Sequence, residues 1–194
     1  VNDRRPPFEL IDSHPVDVCR TVREGKRERL EGLCRKGYCA SLKRYFIGIR
    51  EHLVFTPDGY VSAILQVPGN RHDSRGLYEF LKNSFSTKLV GDNAYWPNEQ
   101  LREALLAKDV SVVASVRSNW EQENTHEEKM LLKQRFHAER YISLFDQQFH
   151  ASRTLNRSAM HYRVRRLVKA AAYNLSRYLN CQNNFPQESI LHLR

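Results

Sequence analysis

The sequence has few of the residues that break or cross-link a chain. Its 194 residues include only 8 glycines, 7 prolines and 4 cysteines. This content excludes collagen-like and low-complexity chains, and 41% hydrophobic residues are enough for the core of one sizeable domain. The cysteines, without a signal-like N-terminal segment, argue against the disulfide framework of a small secreted protein; they are Cys19, Cys34, Cys39 and Cys181.

Long apolar runs are also absent. No run approaches the roughly 18 residues that can span a bilayer, so we expect a soluble, cytoplasmic protein with no membrane contact. Cys34 and Cys39 belong to no CxxC or HxxxH pair, which argues against structural zinc. No internal repeat is present, so the chain is not a repeat protein.

Acidic residues are outnumbered by basic ones, 22 to 31, for a net charge of +9. Arg20–Arg50 and Arg135–Arg194 each hold 10 basic and 3 acidic residues, whereas residues 51–134 hold 9 basic and 12 acidic ones. Two basic segments predict an electropositive surface for a phosphate backbone, although each could also be an ordinary solvated face. The residues that we expect to contact DNA are Lys43, Arg44, Arg163, Arg166 and Lys169.

The first third of the chain predicts strands. The apolar run from Phe8 predicts a buried strand that ends at Asp12, and the basic residues 20–44 lack a sustained apolar period, which indicates a long insertion or loop. Tyr45–Phe55 and Tyr60–Val67 are rich in aromatic and β-branched residues. The turn sequence Thr56-Pro-Asp-Gly59 should join them as a hairpin.

Helices and strands alternate in the rest of the chain. We expect helices over Ser74–Asn83, from Pro97–Asn98 onward, over Glu127–Phe149 and over Ala159–Leu179, and strands over Lys88–Asp92 and Val110–Val116. In the last helix the predicted inward stripe is Met160, Val164, Leu167, Ala171 and Leu175. The order predicts one α/β domain over residues 1–181, a ribonuclease-H-like mixed sheet flanked by helices, and a loose tail over residues 182–194.

Asp12 and Asp92 are the first candidates for chemistry. Each ends a predicted strand, and ligands gather at the strand ends of open α/β sheets. Carboxylate oxygens select Mg²⁺ or Mn²⁺, although a lone aspartate at a strand end can also be a turn or cap residue. Glu139 is a third candidate. Arg135 lies four residues before it, so the two could share the site or form a surface ion pair.

Asp73 follows the predicted hairpin. It could hydrogen-bond to a metal ligand without binding the metal itself, or it could cap the next helix. We expect one of these supporting roles rather than direct catalysis.

Six segments of the sequence together resemble the successive blocks of bacterial insertion-sequence transposases of the DDE type. No single block is specific, but all six follow the family order with comparable spacings. They are Ile11-Asp-Ser-His-Pro-Val16, Gly37-Tyr-Cys-Ala-Ser-Leu-Lys43, Tyr45-Phe-Ile-Gly-Ile-Arg-Glu-His52, Pro68-Gly-Asn-Arg-His-Asp73, Gly91-Asp-Asn-Ala-Tyr95 and Arg135-Phe-His-Ala-Glu139.

This resemblance implies a function. It implies a ribonuclease-H-like core in which Asp12, Asp92 and Glu139 hold two Mg²⁺ ions, with Mn²⁺ as a substitute and Arg135 in support. The substrate would be double-stranded DNA of mobile-element ends and target, cut and joined by two-metal chemistry. By the same resemblance, we expect the family's N-terminal DNA-binding portion to lie outside this sequence, and a homodimer is left open. The alternatives are an inactive, truncated remnant that only binds nucleic acid, and a structure-specific nuclease on the same fold.

Overall fold

One mixed sheet carries helices on both of its faces. The structure, a computed structural model, describes residues 6–19, 30, 32–82, 87–116 and 123–187. The strands within these ranges are β1 (Glu9–Cys19), β2 (Arg35–Cys39), β3 (Arg44–Phe55), β4 (Val61–Pro68), β5 (Thr87–Gly91) and β6 (Val110–Ala114). The α-helices there are α1 (Ser74–Lys82), α2 (Glu99–Leu106), α3 (His126–Leu132), α4 (Phe136–Phe149) and α5 (Ala159–Gln182), with a short 3₁₀ helix at Asn93–Tyr95.

The sheet is antiparallel on one side and parallel on the other. Its strand order is β2-β3-β1-β5-β6, and β4 pairs with β3. The pairs that involve β3 are antiparallel, whereas β5 runs parallel to both β1 and β6. This arrangement confirms the predicted α/β class with a mixed sheet flanked by helices, and it is compatible with a ribonuclease-H-like fold.

The two faces of β1 enter different parts of the core. Leu10 packs in a cluster with Phe145 of α4 and Tyr173 of α5. Its neighbour Ile11 packs on the other face with Phe80 of α1 and residues of α2. Because side chains alternate along a strand, Asp12 follows Leu10 on the α4 face.

Several predicted elements are confirmed. The hairpin forms as β3 and β4, and Gly59 in its turn has φ +80°, a conformation that favours glycine. Strand β5 ends at Gly91, directly before Asp92. Helix α2 begins after Asn98, whose side chain caps it by accepting the N–H of Leu101 at 2.9 Å. Helix α1 ends at Lys82, and residue 83 of the prediction lies outside the described residues.

The predicted end of the first strand at Asp12 is wrong, because β1 continues to Cys19 through Pro15. Of the residues of β1, only Glu9 and Leu10 pair with β5. The edge of β1 near Pro15 therefore has no neighbouring strand in the described part of the chain. A proline is tolerated at such an edge because no ladder hydrogen bond is lost there.

The predicted loop over residues 20–44 is also wrong in part. Arg35–Cys39 forms the edge strand β2, and Arg44 already belongs to β3. The short basic sequence of β2 lacks an apolar pattern because β2 is an edge strand, in which only Gly37 and Cys39 are buried. Residues 20–29 and 31 lie outside the described residues.

The predicted helix over Glu127–Phe149 is divided in two. Thr125 caps α3 in a capping box with Glu128, and α3 ends at Leu132. The hydrogen bonds across the break join residues three apart, such as Gln134 N–H to the Leu131 carbonyl at 2.9 Å and Ala138 N–H to the Arg135 carbonyl at 2.9 Å. A tight 3₁₀ turn therefore replaces the middle of the predicted helix.

The predicted inward stripe of the last helix is wrong, because α5 buries a different face. Tyr162, Arg166 and Tyr173 point into the protein, whereas Met160 is 70% exposed and Leu167 63% exposed. Large rings bury more area than the aliphatic side chains, and Tyr173 packs edge-on against Phe145 with centroids 5.5 Å apart. Tertiary partners, and not the aliphatic period, decide which face is inside.

None of the helices in the described ranges has the length and apolar character to cross a membrane.

Candidate active site

Asp12 and Asp92 are brought together by the register of two parallel strands. Leu10 of β1 pairs with Val90 of β5. Asp12 and Asp92 each come two residues after this pair, and they therefore lie side by side at the carboxyl end of β5. Neighbouring parallel strands are about 4.8 Å apart, so the two carboxylates share one edge of the sheet.

The carboxyl group of Asp12 is held in a poorly hydrated position. Burial raises its pKa from 3.8 to about 7, and the nearby negative charges of Asp92 and Glu139 add to this effect. The Ser13 N–H, which donates to Asp12 Oδ1 at 2.8 Å, and the charge of Arg135 oppose the shift. A carboxylate with this environment favours either a proton or a cation as its partner.

Asp92 is fixed by the backbone that follows it. Its Oδ1 accepts the Ala94 N–H at 2.9 Å and so caps the 3₁₀ helix. Burial raises the pKa of Asp92, and the charge of Asp73 adds to the rise, whereas the Ala94 N–H and Arg135 oppose it. The Asp92 side chain caps the 3₁₀ helix and also lies beside Asp12. The role of cap and the role of candidate metal ligand, both left open by the sequence, are therefore compatible.

Glu139 lies in the first turn of α4 and reaches the edge of the site. Its side chain is 59% exposed and accepts a hydrogen bond from Arg135 Nη1 at 3.0 Å. Both residues act electrostatically on Asp12, so α4 places them next to the strand aspartates. The i,i+4 ion pair that the sequence suggested is therefore present, and it lies at the edge of the site.

Asp73 contacts the side chain of Ser13, which is on the opposite face of β1 from Asp12. It accepts a hydrogen bond from Ser13 Oγ at 2.6 Å and another from Arg50 Nη1 at 3.2 Å. Ser13 thus links two carboxylates, because its N–H donates to Asp12 while its hydroxyl donates to Asp73. Asp73 also acts on the charge of Asp92.

A buried pair lies behind Ser13. Tyr95, 1% exposed, hydrogen-bonds through its hydroxyl to His52 Nδ1 at 2.7 Å and also interacts with the Ser13 hydroxyl. Burial lowers the pKa of His52 to about 4, so the ring is neutral. Tyr95 and His52 lie 43 positions apart in the sequence, so no local pattern pairs them. Their part in a hydrogen-bonded chain that ends at Asp73 depends on strands that are far apart in the sequence.

The donor set fits a hard divalent cation. Asp12, Asp92 and Glu139 offer carboxylate oxygens, and a cation would offset both the burial and the carboxylate repulsion that raise the pKa of Asp12. In the described part of the chain, however, no three His, Cys, Asp or Glu side chains converge on one point. Glu139 is turned to Arg135 instead, and this exposed side chain would have to leave Arg135 to join a metal site.

The four described cysteines are all free thiols. Cys39 is buried and Cys34 partly buried.

The predicted DNA contacts are distributed over two surfaces. Lys43 is exposed in the turn before β3, and Arg44 forms two hydrogen bonds with Asp17, at 3.0 and 2.8 Å. Arg163 is exposed on α5. Lys169, also on α5, is partly buried and donates to the His150 carbonyl at 3.0 Å.

Arg166 is not available to DNA, so its prediction as a DNA contact is wrong. It is 2% exposed, and its guanidinium forms an ion pair with Glu51, which is 0% exposed. Tyr162 Oη also donates to Glu51, at 2.8 Å, and His14 Nε2 lies 3.1 Å from the same carboxylate. A buried carboxylate requires such partners, and no local pattern in α5 indicated that Glu51 of β3 would lie under it.

Comparison with known proteins gives a family match. A family model with the description "Transposase DDE domain" matches residues 4–159. The matched stretch contains Asp12, Asp73, Asp92, Arg135 and Glu139. No curated protein and no solved structure matches the chain.

Proposed function

The chain belongs to the transposase DDE domain family, and on this basis we propose that it is the catalytic core of a DNA transposase that cuts and joins phosphodiester bonds at the ends of a mobile element. The observation that carries the proposal is the pair Asp12 and Asp92 at one level of β1 and β5. The raised pKa of Asp12 beside two further carboxylates supports a cation site there.

The cofactor that fits this site is Mg²⁺, for which Mn²⁺ can substitute. We assign Asp12, Asp92 and Glu139 as the residues that hold two such ions. A pair of ions held by these residues would supply the means to activate an attacking oxygen and to stabilise the departing one. The Ser13 N–H orients Asp12, and the Ala94 N–H orients Asp92, so both carboxylates are positioned before a cation arrives.

Arg135 acts as a reversible partner of Glu139. While the two are paired, Glu139 Oε1 is engaged by a cation of the protein itself. When Glu139 turns to the aspartates, the guanidinium of Arg135 is released at the edge of the site. There it can bind a phosphate oxygen of the DNA.

The hairpin of β2 and β3 carries Lys43 and Arg44, and the composition of its surface supports the proposal that DNA binds there. Residues 35–45 contain four basic residues and no acidic one. Tyr38 and Tyr45 pair across the strands with ring centroids 5.1 Å apart, and they are 48% and 62% exposed. Basic residues interleaved with exposed rings are typical of nucleic-acid surfaces.

One observation favours the second candidate function, an inactive remnant that only binds nucleic acid. The third carboxylate, Glu139, is engaged by Arg135 and does not converge with the aspartates. If this ion pair persisted in the presence of metal and DNA, the site would lack its third ligand. The chain would then bind DNA without cutting it.

Nicking of supercoiled plasmid distinguishes the two functions. We expect Mg²⁺ or Mn²⁺ to support nicking by the wild-type chain and chelator to stop it. Asp12→Asn and Asp92→Asn should abolish nicking with DNA affinity retained, whereas the matched control Asp58→Asn, an exposed aspartate in the β3–β4 turn, should nick at the wild-type rate. Wild-type protein that binds DNA but never nicks it would favour the remnant.

Strand transfer separates a transposase from a nuclease on the same fold. A labelled, precut element end with a free 3′ hydroxyl should be joined to a target plasmid by the transposase. Hydrolysis without any joined product would favour the nuclease.

A further inference from the structure

Four polar side chains behind the two aspartates form one hydrogen-bonded chain. The hydroxyl of Ser13 donates to Asp73 Oδ1 at 2.6 Å, and it is also hydrogen-bonded to the hydroxyl of Tyr95. The Tyr95 hydroxyl lies 2.7 Å from Nδ1 of His52. The chain therefore joins β3, the 3₁₀ helix after β5, strand β1 and the loop before α1, and Ser13 lies between Tyr95 and Asp73.

Every proton in this chain points the same way. The carboxylate of Asp73 can only accept, so the Ser13 hydroxyl directs its one proton there and accepts from Tyr95. The Tyr95 hydroxyl then accepts from the Nδ1–H of His52, which leaves Nε2 of that neutral ring without a proton. Nε2 is buried and has no hydrogen-bond partner among the described residues, so no other contact requires a proton on it. A fully directed network of this kind favours a single arrangement of its members.

Ser13 connects this network to both aspartates of the candidate active site. Its own N–H donates to Asp12 Oδ1 at 2.8 Å. On the other side, Tyr95 is the last residue of the 3₁₀ helix that Asp92 caps through the Ala94 N–H. The contact between Ser13 and Tyr95 thus ties the turn that carries Asp92 to the strand that carries Asp12.

The backbone ladder between β1 and β5 stops short of the site. Its last pair is Leu10 with Val90, two residues before the aspartates. Beyond it, the Tyr95 ring packs against the end of β5, where a Cβ on Gly91 would come within 2.8 Å of the ring. The side chains of Ser13 and Tyr95 therefore hold the two segments together where the ladder has ended.

We propose that Ser13 is a positioning residue, whose hydroxyl keeps the Asp12 and Asp92 carboxylates at the spacing that a divalent cation requires. This inference rests on the proposed function, because it takes the two aspartates to be cation ligands. The hydroxyl acts through Tyr95 and Asp73 and is not itself a ligand, because it lies on the opposite face of β1 from Asp12. Side chains that orient metal ligands in this way typically change metal affinity by about 10- to 100-fold.

Isothermal titration of the full chain with Mn²⁺, without DNA, tests the proposal. Ser13→Ala should weaken Mn²⁺ binding by about 10-fold or more. Ser13→Thr keeps the hydroxyl and should restore most of the affinity. The matched control Ser62→Ala removes a serine hydroxyl that donates to the Val54 carbonyl in the β3–β4 hairpin, and it should bind Mn²⁺ as the wild type does.

Tyr95→Phe gives an independent measurement, which also serves should Ser13→Ala not fold. It removes only the hydroxyl at the other end of the contact and should weaken Mn²⁺ binding to a similar extent. Because the two hydroxyls act through one contact, the double variant should bind about as weakly as either single variant, whereas two independent losses would multiply. Tyr162→Phe removes the buried hydroxyl that donates to Glu51 and should leave the Mn²⁺ affinity unchanged.

The outcomes separate this inference from the proposed function. Wild-type Mn²⁺ affinity in folded Ser13→Ala or in Tyr95→Phe would overturn the role of the hydroxyl and leave the cation site intact. Equal weakening in Ser13→Ala and Ser13→Thr would also overturn it, because the loss would then come from packing at position 13. A wild-type chain that binds no Mn²⁺ would remove the cation site itself, and this inference with it.

Discussion

Asp12 and Asp92 each stand two residues beyond the pair formed by Leu10 and Val90 on adjacent parallel strands. Leu10 and Val90 are 1% and 0% exposed, so core packing fixes the register that places the two carboxylates together. A shift of β1 by one residue would exchange its two faces, so that Leu10 would face α1 and α2 and Asp12 would turn away from the α4 face. The position of the site therefore depends on burial of neighbouring apolar residues, and its charge repulsion is tolerated because the core is stable.

The first prediction concerns the pH dependence of stability in chelator. Because the pKa of Asp12 rises from 3.8 to about 7 on folding, the folded chain keeps a proton that the unfolded chain loses between these pH values. Stability must therefore fall as the pH rises through this window and level off above pH 7. Asp12→Asn removes this loss and should melt at least a few degrees above wild type at pH 8, and close to it at pH 4.

Melting curves at the two pH values, with chelator and with Mn²⁺, check this prediction. Mn²⁺ should raise the melting temperature of the wild type by mass action and leave Asp12→Asn nearly unchanged. Asp58→Asn is the control and should follow the wild type. Equal melting of Asp12→Asn and wild type at pH 8 in chelator would contradict the burial of the Asp12 charge.

The second prediction concerns the ion pair at the edge of the site. Arg135→Ala frees Glu139, so the Mn²⁺-induced rise in melting temperature should become larger than in wild type. Glu139→Gln removes a metal ligand and should make the rise smaller. In chelator the free energy of unfolding of both variants should lie within about 0.5 kcal/mol of the wild-type value, because an exposed i,i+4 pair stabilises little.

The two variants should change the Mn²⁺-induced rise in melting temperature in opposite directions, and this difference tests whether Glu139 is a metal ligand. Thermal melts at several Mn²⁺ concentrations give the response of each variant. The same response in both variants would remove Glu139 from the metal site and leave it as a surface residue.

The third prediction separates Arg166 from its exposed neighbour Arg163. Arg166→Ala leaves the buried Glu51 carboxylate without its cation and should lower the free energy of unfolding by about 3–5 kcal/mol. Arg163→Ala, on the solvent side of the same helix, should change it by less than about 0.5 kcal/mol. Urea unfolding of the two variants measures the difference, and comparable losses would mean that the Glu51 carboxylate does not depend on the Arg166 cation.

The fourth prediction concerns DNA affinity. Lys43→Ala and Arg163→Ala should each reduce the slope of log K against log salt by about 0.9, the value for one phosphate contact. Lys82→Ala removes an exposed lysine of the acidic middle segment, which pairs with Glu79, and should leave the slope unchanged. Titrations of a labelled duplex at four salt concentrations give the slopes. A slope unaltered by Lys43→Ala would remove the β2–β3 hairpin from the DNA surface.

Local sequence patterns determined much of the secondary structure. The hairpin with its Pro-Asp-Gly turn, the strand before Asp92 and the Asn98 cap all depend on residues within a few positions of each other. Such signals act through backbone conformation and short-range hydrogen bonds, which the sequence contains directly. The resemblance in six segments was likewise enough to predict the family.

Tertiary structure decided everything that depends on a distant partner. The aliphatic period of α5 predicted the wrong inner face, because Glu51 of β3 lies beneath the helix and requires Arg166 and Tyr162. The contact of Ser13 with Asp73 joins residues 60 positions apart. A periodic pattern shows that a helix has an apolar face, but only the surrounding strands and their buried charges determine which face of the helix enters the core.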